Sequence, residues 1–330
     1  STQGYSSAAS DVYKRQPINE ECRSKLNDLF EEVVYVPWTD SGERYYEREM
    51  VDCLLREKPD ALITELDVIN EKVLKEYSDL KFIGDCRASP ENIDVEACKK
   101  YNIPVLCTPA RNANAVAEMW LGSVIAFERN LVDSVNWVKG KKWKEGTTPY
   151  YLWMGNEIYK KKIGFVGFGA VARNIARLLQ GFDVEIVYCD PFVKDVEKYQ
   201  KVGLEEIFSN SDYVTVHLPV NKNTKGMVDE HLLSLMKSNS IFINSSRSAV
   251  VDNDVLYKFV SSKKIRGAIL DVLDTEPPTE TDARVADIPN ILLTPHIYGA
   301  SHQVVDHQSE IITSCLLYTS PSPRDRSLSR

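Results

Sequence analysis

The stretch IGFVGFGAVARNIARLLQ, residues 163–180, decides the fold. An apolar run, Ile163–Val166, leads into Gly167-Phe168-Gly169-Ala170-Val171-Ala172. Apolar residues then recur at 171, 175, 178 and 179, the spacing of one helix face. Gly167 permits a tight turn, and Gly169 lets backbone amides approach a phosphate closely. Small Ala172 lets the helix pack on the strand, and the helix N-terminus turns its partial positive charge toward the same point. The next apolar run, VEIVYCD, ends in Asp190, 21 residues beyond Gly169. Strand, glycine turn, helix and a second strand ending in an acid form a dinucleotide-binding unit, with the acid on the ribose hydroxyls. A carboxylate there repels a 2′-phosphate and no arginine follows directly, so the cofactor reads as NAD rather than NADP.

Outward from this unit the alternation continues. KKIGFVGFG, VEIVYCD, YVTVHLP, SIFINSS, RGAILDV and NILLTPH are six short β-rich runs with helical segments between them, as in a doubly wound parallel sheet. Upstream, EVVYVP, DALITE, LKFIGDC and IPVLCTP alternate with helical segments in the same way, which predicts a second parallel sheet. Between the two lies NANAVAEMWLGSVIAFERNLVDSVNWVKG, residues 112–140, read as one long helix joining two domains. The fold class is therefore α/β with two doubly wound parallel-sheet domains.

Composition narrows the function. The chain has 330 residues, 43% of them hydrophobic and 27% charged, in the range of a soluble globular protein with room for two domains. No apolar run reaches the length of a membrane span. A formal charge of −8 argues against nucleic-acid partners and anionic membranes. Seven cysteines without a C-x-x-C pair read as reduced thiols in a cytoplasmic protein. No cluster has metal-ligand spacing, so no metal is expected, and no repeat is visible. The two ends read differently. SSAASDVYKRQ (6–16) and CLLYTSPSPRD (315–325) fit neither period and resemble translated sequencing-library adapters. Residues 1–16 and 315–330 are therefore expected to be non-native tails on a metagenomic fragment, 17–314, whose own charge is near −11.

Three polar residues fall just past predicted strands: Arg247 after SIFINSS, Glu276 in LDVLDTEPP, and His296 after NILLTP. Ligands bind open α/β sheets at that edge. Each alone could be an ordinary salt bridge, solvated acid or cap. Together they suit hydride transfer to a keto group. An imidazole supplies the proton, a carboxylate orients it, and an arginine grips a substrate carboxylate while polarising the carbonyl.

On these residues the chain resembles the D-isomer-specific 2-hydroxyacid dehydrogenases, the family that includes phosphoglycerate dehydrogenase and glyoxylate or hydroxypyruvate reductases. The matching stretches are NIDVEACKKYNIPVLCTPARNANAVAE, GFVGFGAVAR, HLPVNKNTKGMV, INSSRSAVVD, GAILDVLDTEPP and LLTPHIYGAS, in the family's order over most of 80–301. The resemblance implies a Rossmann dinucleotide domain (116–299, with its linker helix) inserted into a flavodoxin-like substrate domain (17–115 and 300–314). The cleft between the two would close on a small 2-hydroxy or 2-keto acid, phosphoglycerate- or glycerate/hydroxypyruvate-like. It implies that Arg247 binds the substrate carboxylate and carbonyl. His296 becomes the general acid/base with Glu276 its partner, and Asp271 faces the nicotinamide amide. Gly167, Gly169, Ala170, Val171, Asp190 and Ser246 fall on the cofactor side. It also implies a homodimer formed through the dinucleotide domain. Formate-oxidising relatives carry Gln where Glu276 stands, which argues against that branch.

The chain departs from the family in places. A glycine-rich GRAGxGxDN loop is replaced by GDCRASPEN (84–92), stiffer and bulkier. Arg87 is expected to face the cleft as a second cation for a substrate with a further anionic group; the alternative is a surface ion pair. Asn112 is expected near the cleft, and Tyr298, where a small residue is usual, to narrow the substrate pocket. The family's first strand should stand where adapter-like sequence stands here, and its last helix should run beyond SHQVVDHQSEIITS. A missing first strand, a truncated return helix and low stability are expected. An NAD(H)-sensing corepressor-like protein of the same fold, or an inactive fragment of the enzyme, are the alternatives to an active dehydrogenase.

Overall fold

A computed structural model describes residues 11–319. The chain forms two compact units: one runs to Asn112 and resumes at Ser301, and the other is Ala113–Ala300. The sequence predicts the first division at 116. It falls instead at the first residue of a helix, which belongs whole to the second unit.

Among the described residues the first unit carries five strands: β1 (Asp11–Lys14), β2 (Glu32–Tyr35), β3 (Ala61–Thr64), β4 (Phe82–Asp85) and β5 (Val105–Cys107). All pair in parallel in the order β2-β1-β3-β4-β5, the flavodoxin-like winding. The main crossover helices are α1 (Glu20–Leu29), α2 (Glu47–Glu57), α3 (Glu71–Glu76) and α4 (Val95–Lys100). The side chains of Asn19, Asn70 and Asp94 cap α1, α3 and α4 by accepting first-turn amides. Alternate strand residues feed the two faces: Tyr13, Leu62 and Ile83 one, Val12, Ile63 and Phe82 the other.

Two expectations fail in this unit. The first strand is not missing: β1 pairs with both β2 and β3 inside the sheet. Val12 and Tyr13 offer one apolar side chain to each face, which is what an interior parallel strand requires, whatever the segment resembles. Arg15, just past it, is buried and pairs with Asp67 (Nε–Oδ2 3.4 Å). Nor does the return helix stop at 314. It runs Gln303–Thr319, and Ile312 and Leu316, one turn apart, are buried in the cluster that holds Leu26. The remaining adapter-like segments, 1–10 and 320–330, lie outside the described residues.

The second unit is a seven-stranded parallel sheet: β6 (Lys162–Val166), β7 (Glu185–Cys189), β8 (Gln200–Lys201), β9 (Tyr213–Val216), β10 (Ile241–Asn244), β11 (Gly267–Leu270) and β12 (Ile291–Leu293). Its order is β12-β11-β10-β9-β6-β7-β8, so the winding reverses between β6 and β9 and leaves a crevice at their carboxyl ends. Helix α5 (Ala113–Glu128) packs on α7 (Ala170–Leu178), the helix that follows the glycine turn. The stretch 112–140 is not one helix. It breaks at Asn130, in the left-handed region at φ 50°, and α6 (Leu131–Lys139) starts afresh. The carbonyl of Glu128 at the end of α5 accepts from the amide of Asn156, so a crossing segment satisfies the helix end.

Candidate active site

The glycine turn sits at the switch point. Gly167 has φ +88°, and a Cβ there would lie 2.5 Å from the carbonyl oxygen of His217 on the neighbouring strand's end. Only glycine fits. Gly169 caps α7 without a side-chain bond, and a Cβ there would meet nothing within 4 Å, so no side chain crowds the helix start at Ala170 and Val171. Asp190, just past β7, is fixed by three backbone amides: Oδ2 accepts from Phe168 (2.8 Å), Oδ1 from Phe192 (2.8 Å) and Val193 (3.1 Å). An amide-lined opening beside a fixed carboxylate suits a dinucleotide, with phosphates at the helix end and ribose at the acid.

At the end of β10, Asn244 braces the loop that carries Arg247. Its Oδ1 accepts from the amide and hydroxyl of Ser246 (3.0 and 2.9 Å), and its Nδ2 donates to the carbonyl of Arg247 (3.0 Å). Arg247 is exposed and donates to the Ser246 carbonyl. Ser248 and Asn253 both donate to Asp274 Oδ1, tying this loop to the one after β11. Asn244 and Asp274 escaped the sequence reading. Their signal, a short polar side chain next to a strand end, is common in loops that bind nothing.

Past β11 and β12 the proposed acid/base pair meets. His296 Nδ1 lies 2.6 Å from Glu276 Oε2, whose other oxygen accepts from the Leu273 amide (3.1 Å). His296 sits at φ 55°, an uncommon conformation for a residue with a Cβ. Asp271 holds it there. One oxygen accepts from Thr294 Oγ1 (2.6 Å) and the Ile297 amide (2.9 Å), the other from the Tyr298 amide (2.9 Å). Asp271 is 1% exposed, so this carboxylate is the clamp of the histidine loop. A cavity of about 460 Å³ opens here, lined by Asp271, Leu273, Glu276, Pro277, Pro278, Leu293, Thr294, Pro295 and His296.

Tyr298 lies away from its expected place at the substrate pocket. It does not line this cavity but is 1% exposed in the core with Trp120, Phe165 and Ala117. Asp271 draws its amide inward and the ring follows under the loop, where burial raises its hydroxyl well above the ordinary value while Ser123 pulls the other way. Arg87 belongs to the first unit and pairs with Glu91 (Nη2–Oε2 2.9 Å), the surface ion pair that was the alternative to a free cation. Asn112 is half-buried in the turn that ends that unit's first segment. In the same unit Asp85, at the end of β4, is fully buried, and burial lifts its pKa to about 7 against the pull of Arg87 and Arg111.

Among the described residues no group of three or more His, Cys, Asp or Glu is placed to hold a metal, and no helix is long and apolar enough to cross a membrane. The family model described as D-isomer specific 2-hydroxyacid dehydrogenase, NAD binding domain, matches residues 121–297. YoaD of Bacillus subtilis (strain 168), assigned by its name to the 2-hydroxyacid dehydrogenases, is 43% identical over 302 residues, 91% of this chain and 88% of that one. The glyoxylate reductase of Korarchaeum cryptofilum (strain OPF8) is 30% identical over 93% of this chain and 91% of its own. The crystal structure of a glyoxylate reductase from Paecilomyes thermophila shares the fold with a TM-score of 0.75, at 20% identity, over 93% of this chain and 94% of that one.

Proposed function

This chain belongs to the D-isomer-specific 2-hydroxyacid dehydrogenase family, and on that premise we propose how its residues work and what it acts on. It is an NAD-dependent oxidoreductase of 2-hydroxy and 2-keto acids. The nicotinamide dinucleotide supplies the hydride. Gly167, Gly169, Ala170 and Val171 hold its phosphates and Asp190 its ribose. That carboxylate, pinned by three amides, favours NAD over NADP.

The observation that carries the reading is the His296–Glu276 contact of 2.6 Å. With Nδ1 committed to Glu276, Nε2 is the nitrogen left to exchange a proton with the substrate oxygen. Glu276 orients the ring through Nδ1, and in reduction Nε2 gives its proton to the substrate oxygen. Arg247 grips the substrate carboxylate and polarises the carbonyl. We take the substrates to be short 2-keto acids of the glyoxylate and hydroxypyruvate kind, with phosphohydroxypyruvate as the larger member. Two relatives at 30% identity bear the names glyoxylate reductase and hydroxypyruvate reductase. The test is NADH oxidation against glyoxylate, hydroxypyruvate, phosphohydroxypyruvate and sugar-derived keto acids. Turnover of at least one supports the proposal; NADH binding with no turnover of any would make the protein a sensor instead.

We also propose a homodimer formed through the second unit. Leu131, Val135 and Val138 on α6, with Trp143, Tyr151 and Met154 after it, are all exposed, more apolar surface than a monomer ordinarily leaves to water. Val135→Asp with Val138→Asp should give a monomer by sedimentation; a wild type that already sediments as a monomer refutes the dimer. Six free thiols, those of Cys22, Cys53, Cys86, Cys98, Cys107 and Cys189, fit a reducing compartment, and we place the protein in the cytoplasm.

A further inference from the structure

One histidine stands at the switch point without a part in the scheme above. His217 follows β9, and its carbonyl is the group against which Gly167 packs. Its ring stacks on Phe165, centroids 5.8 Å apart. Its Nε2 lies 2.9 Å from Thr215 Oγ1, and that same oxygen lies 2.9 Å from the indole Nε1 of Trp120, on α5. The direction of this chain of bonds is settled by chemistry. An indole nitrogen can only donate, so Thr215 Oγ1 accepts from Trp120. Thr215 is fully buried, and among the described residues its hydroxyl proton has no other acceptor than His217 Nε2. If Nε2 carried a proton, that hydroxyl hydrogen would be stranded in the core at the full cost of an unpaired buried donor. Nε2 is therefore the acceptor and Nδ1 carries the proton. Burial also holds the ring neutral, with a pKa lowered to about 3. Among the described residues nothing accepts from Nδ1, and it is not one of the enclosed atoms without a partner.

We infer that Trp120 and Thr215 lock His217 as a neutral Nδ1–H donor, and that this N–H binds an acceptor oxygen of the nicotinamide dinucleotide at the β6/β9 crevice. The inference rests on the cofactor reading of that crevice. Trp120 and Thr215 are positioning residues: they touch no ligand and act by choosing the tautomer. A neutral donor is useful at this place. It can hold a ribose or phosphate oxygen without bringing a fixed charge into the crevice.

The test has two arms. In the protein without cofactor, two-bond nitrogen–proton NMR on histidine labelled with nitrogen-15 should show the proton of His217 on Nδ1. Thr215→Val, nearly isosteric, should release it to Nε2 or a mixture, while Thr215→Ser should keep it. In the second arm, NADH is titrated by fluorescence. Thr215→Val and His217→Leu should weaken NADH binding by about 3- to 10-fold, the worth of one hydrogen bond. His217→Asn, whose amide nitrogen falls near the place of Nδ1, should stay within about twofold of wild type on the same scale. A wild-type ring protonated on Nε2 overturns the lock, and unchanged NADH affinity in Thr215→Val and His217→Leu overturns the donor role. A wild type that binds no NADH overturns the cofactor reading, and the donor role with it. The tautomer result stands apart from both.

Discussion

His296 is constrained from two sides. Its backbone is held at φ 55°, a conformation that costs a residue with a Cβ about 1–3 kcal/mol. Its ring is aimed by Glu276. Asp271 offsets the strain through three hydrogen bonds spread over Thr294, Ile297 and Tyr298. His296→Ala should therefore lower kcat by about 10²- to 10⁴-fold with NADH affinity intact, since only proton transfer is lost. Unchanged turnover would remove His296 from the chemistry. Asp271→Asn acts differently. It turns an acceptor into a donor facing amide protons, and should cost about 1–3 kcal/mol of stability besides slowing turnover. A normal melting temperature with normal kcat would mean the loop holds itself. The strand-end rule made Arg247, Glu276 and His296 legible in the sequence. Tyr298 misled because a left-handed residue two places earlier reverses which way the next side chains face, and no pattern in TPHIYGAS announces it. The clamp made by Asp271 is not legible in the sequence, because two of its three partners are backbone amides, which sequence does not show.

At the scale of elements, the β6 turn has the least freedom. A Cβ at Gly167 would meet the His217 carbonyl at 2.5 Å, and Val166 and Val216 beside it are in register, so neither strand can retreat. Gly167→Ala should destabilise the second unit by about 1–3 kcal/mol from backbone strain alone, with the contact adding to it, and abolish NADH binding. Wild-type melting and NADH affinity in this variant would show that the turn is more plastic than its geometry. This turn and the alternation around it were the most legible part of the chain, since residue spacing and local geometry report the same thing there. The break at Asn130 was not legible, because α5 and α6 have continuous apolar spacing and Asn is only mildly disfavoured in helices. What ends α5 is Asn156 donating to the Glu128 carbonyl, a contact from 28 positions along the chain. β1 was missed for the opposite reason: a resemblance in DVYKRQ outweighed the alternation of Val12 and Tyr13, which is strand-like on its own terms.

On the scale of the whole folded molecule, two buried charges of the first unit contribute to how stability follows pH. Lys14 Nζ is enclosed without a hydrogen-bond partner, and burial lowers its pKa from 10.5 to about 7. The unfolded chain then binds a proton between those values that the folded chain does not, so the penalty is complete below pH 7 and fades as pH rises toward 10.5. Asp85 is the mirror case, raised from 3.8 to about 7 by burial first and Glu65 in addition. Here the folded chain holds the extra proton, so the penalty is absent below pH 3.8, grows through the interval, and is complete above about 7. At neutral pH the fold bears both. Other groups titrate in the same range, so the measurement is a difference between variant and wild type, in which their contributions cancel. Lys14→Met should be more stable than wild type at pH 7 by about 1–4 kcal/mol. That advantage should shrink by roughly 1.4 kcal/mol per pH unit as the solution is made alkaline. Asp85→Asn should show its advantage at pH 7.5 and above and lose it in mild acid, at about the same rate. Denaturant melts at several pH values give both slopes. A Lys14→Met advantage that does not change between pH 7 and about pH 9 would mean the ammonium reaches water and stays charged in the fold, and that β1 is held less deeply in its sheet than its pairing with β2 and β3 requires.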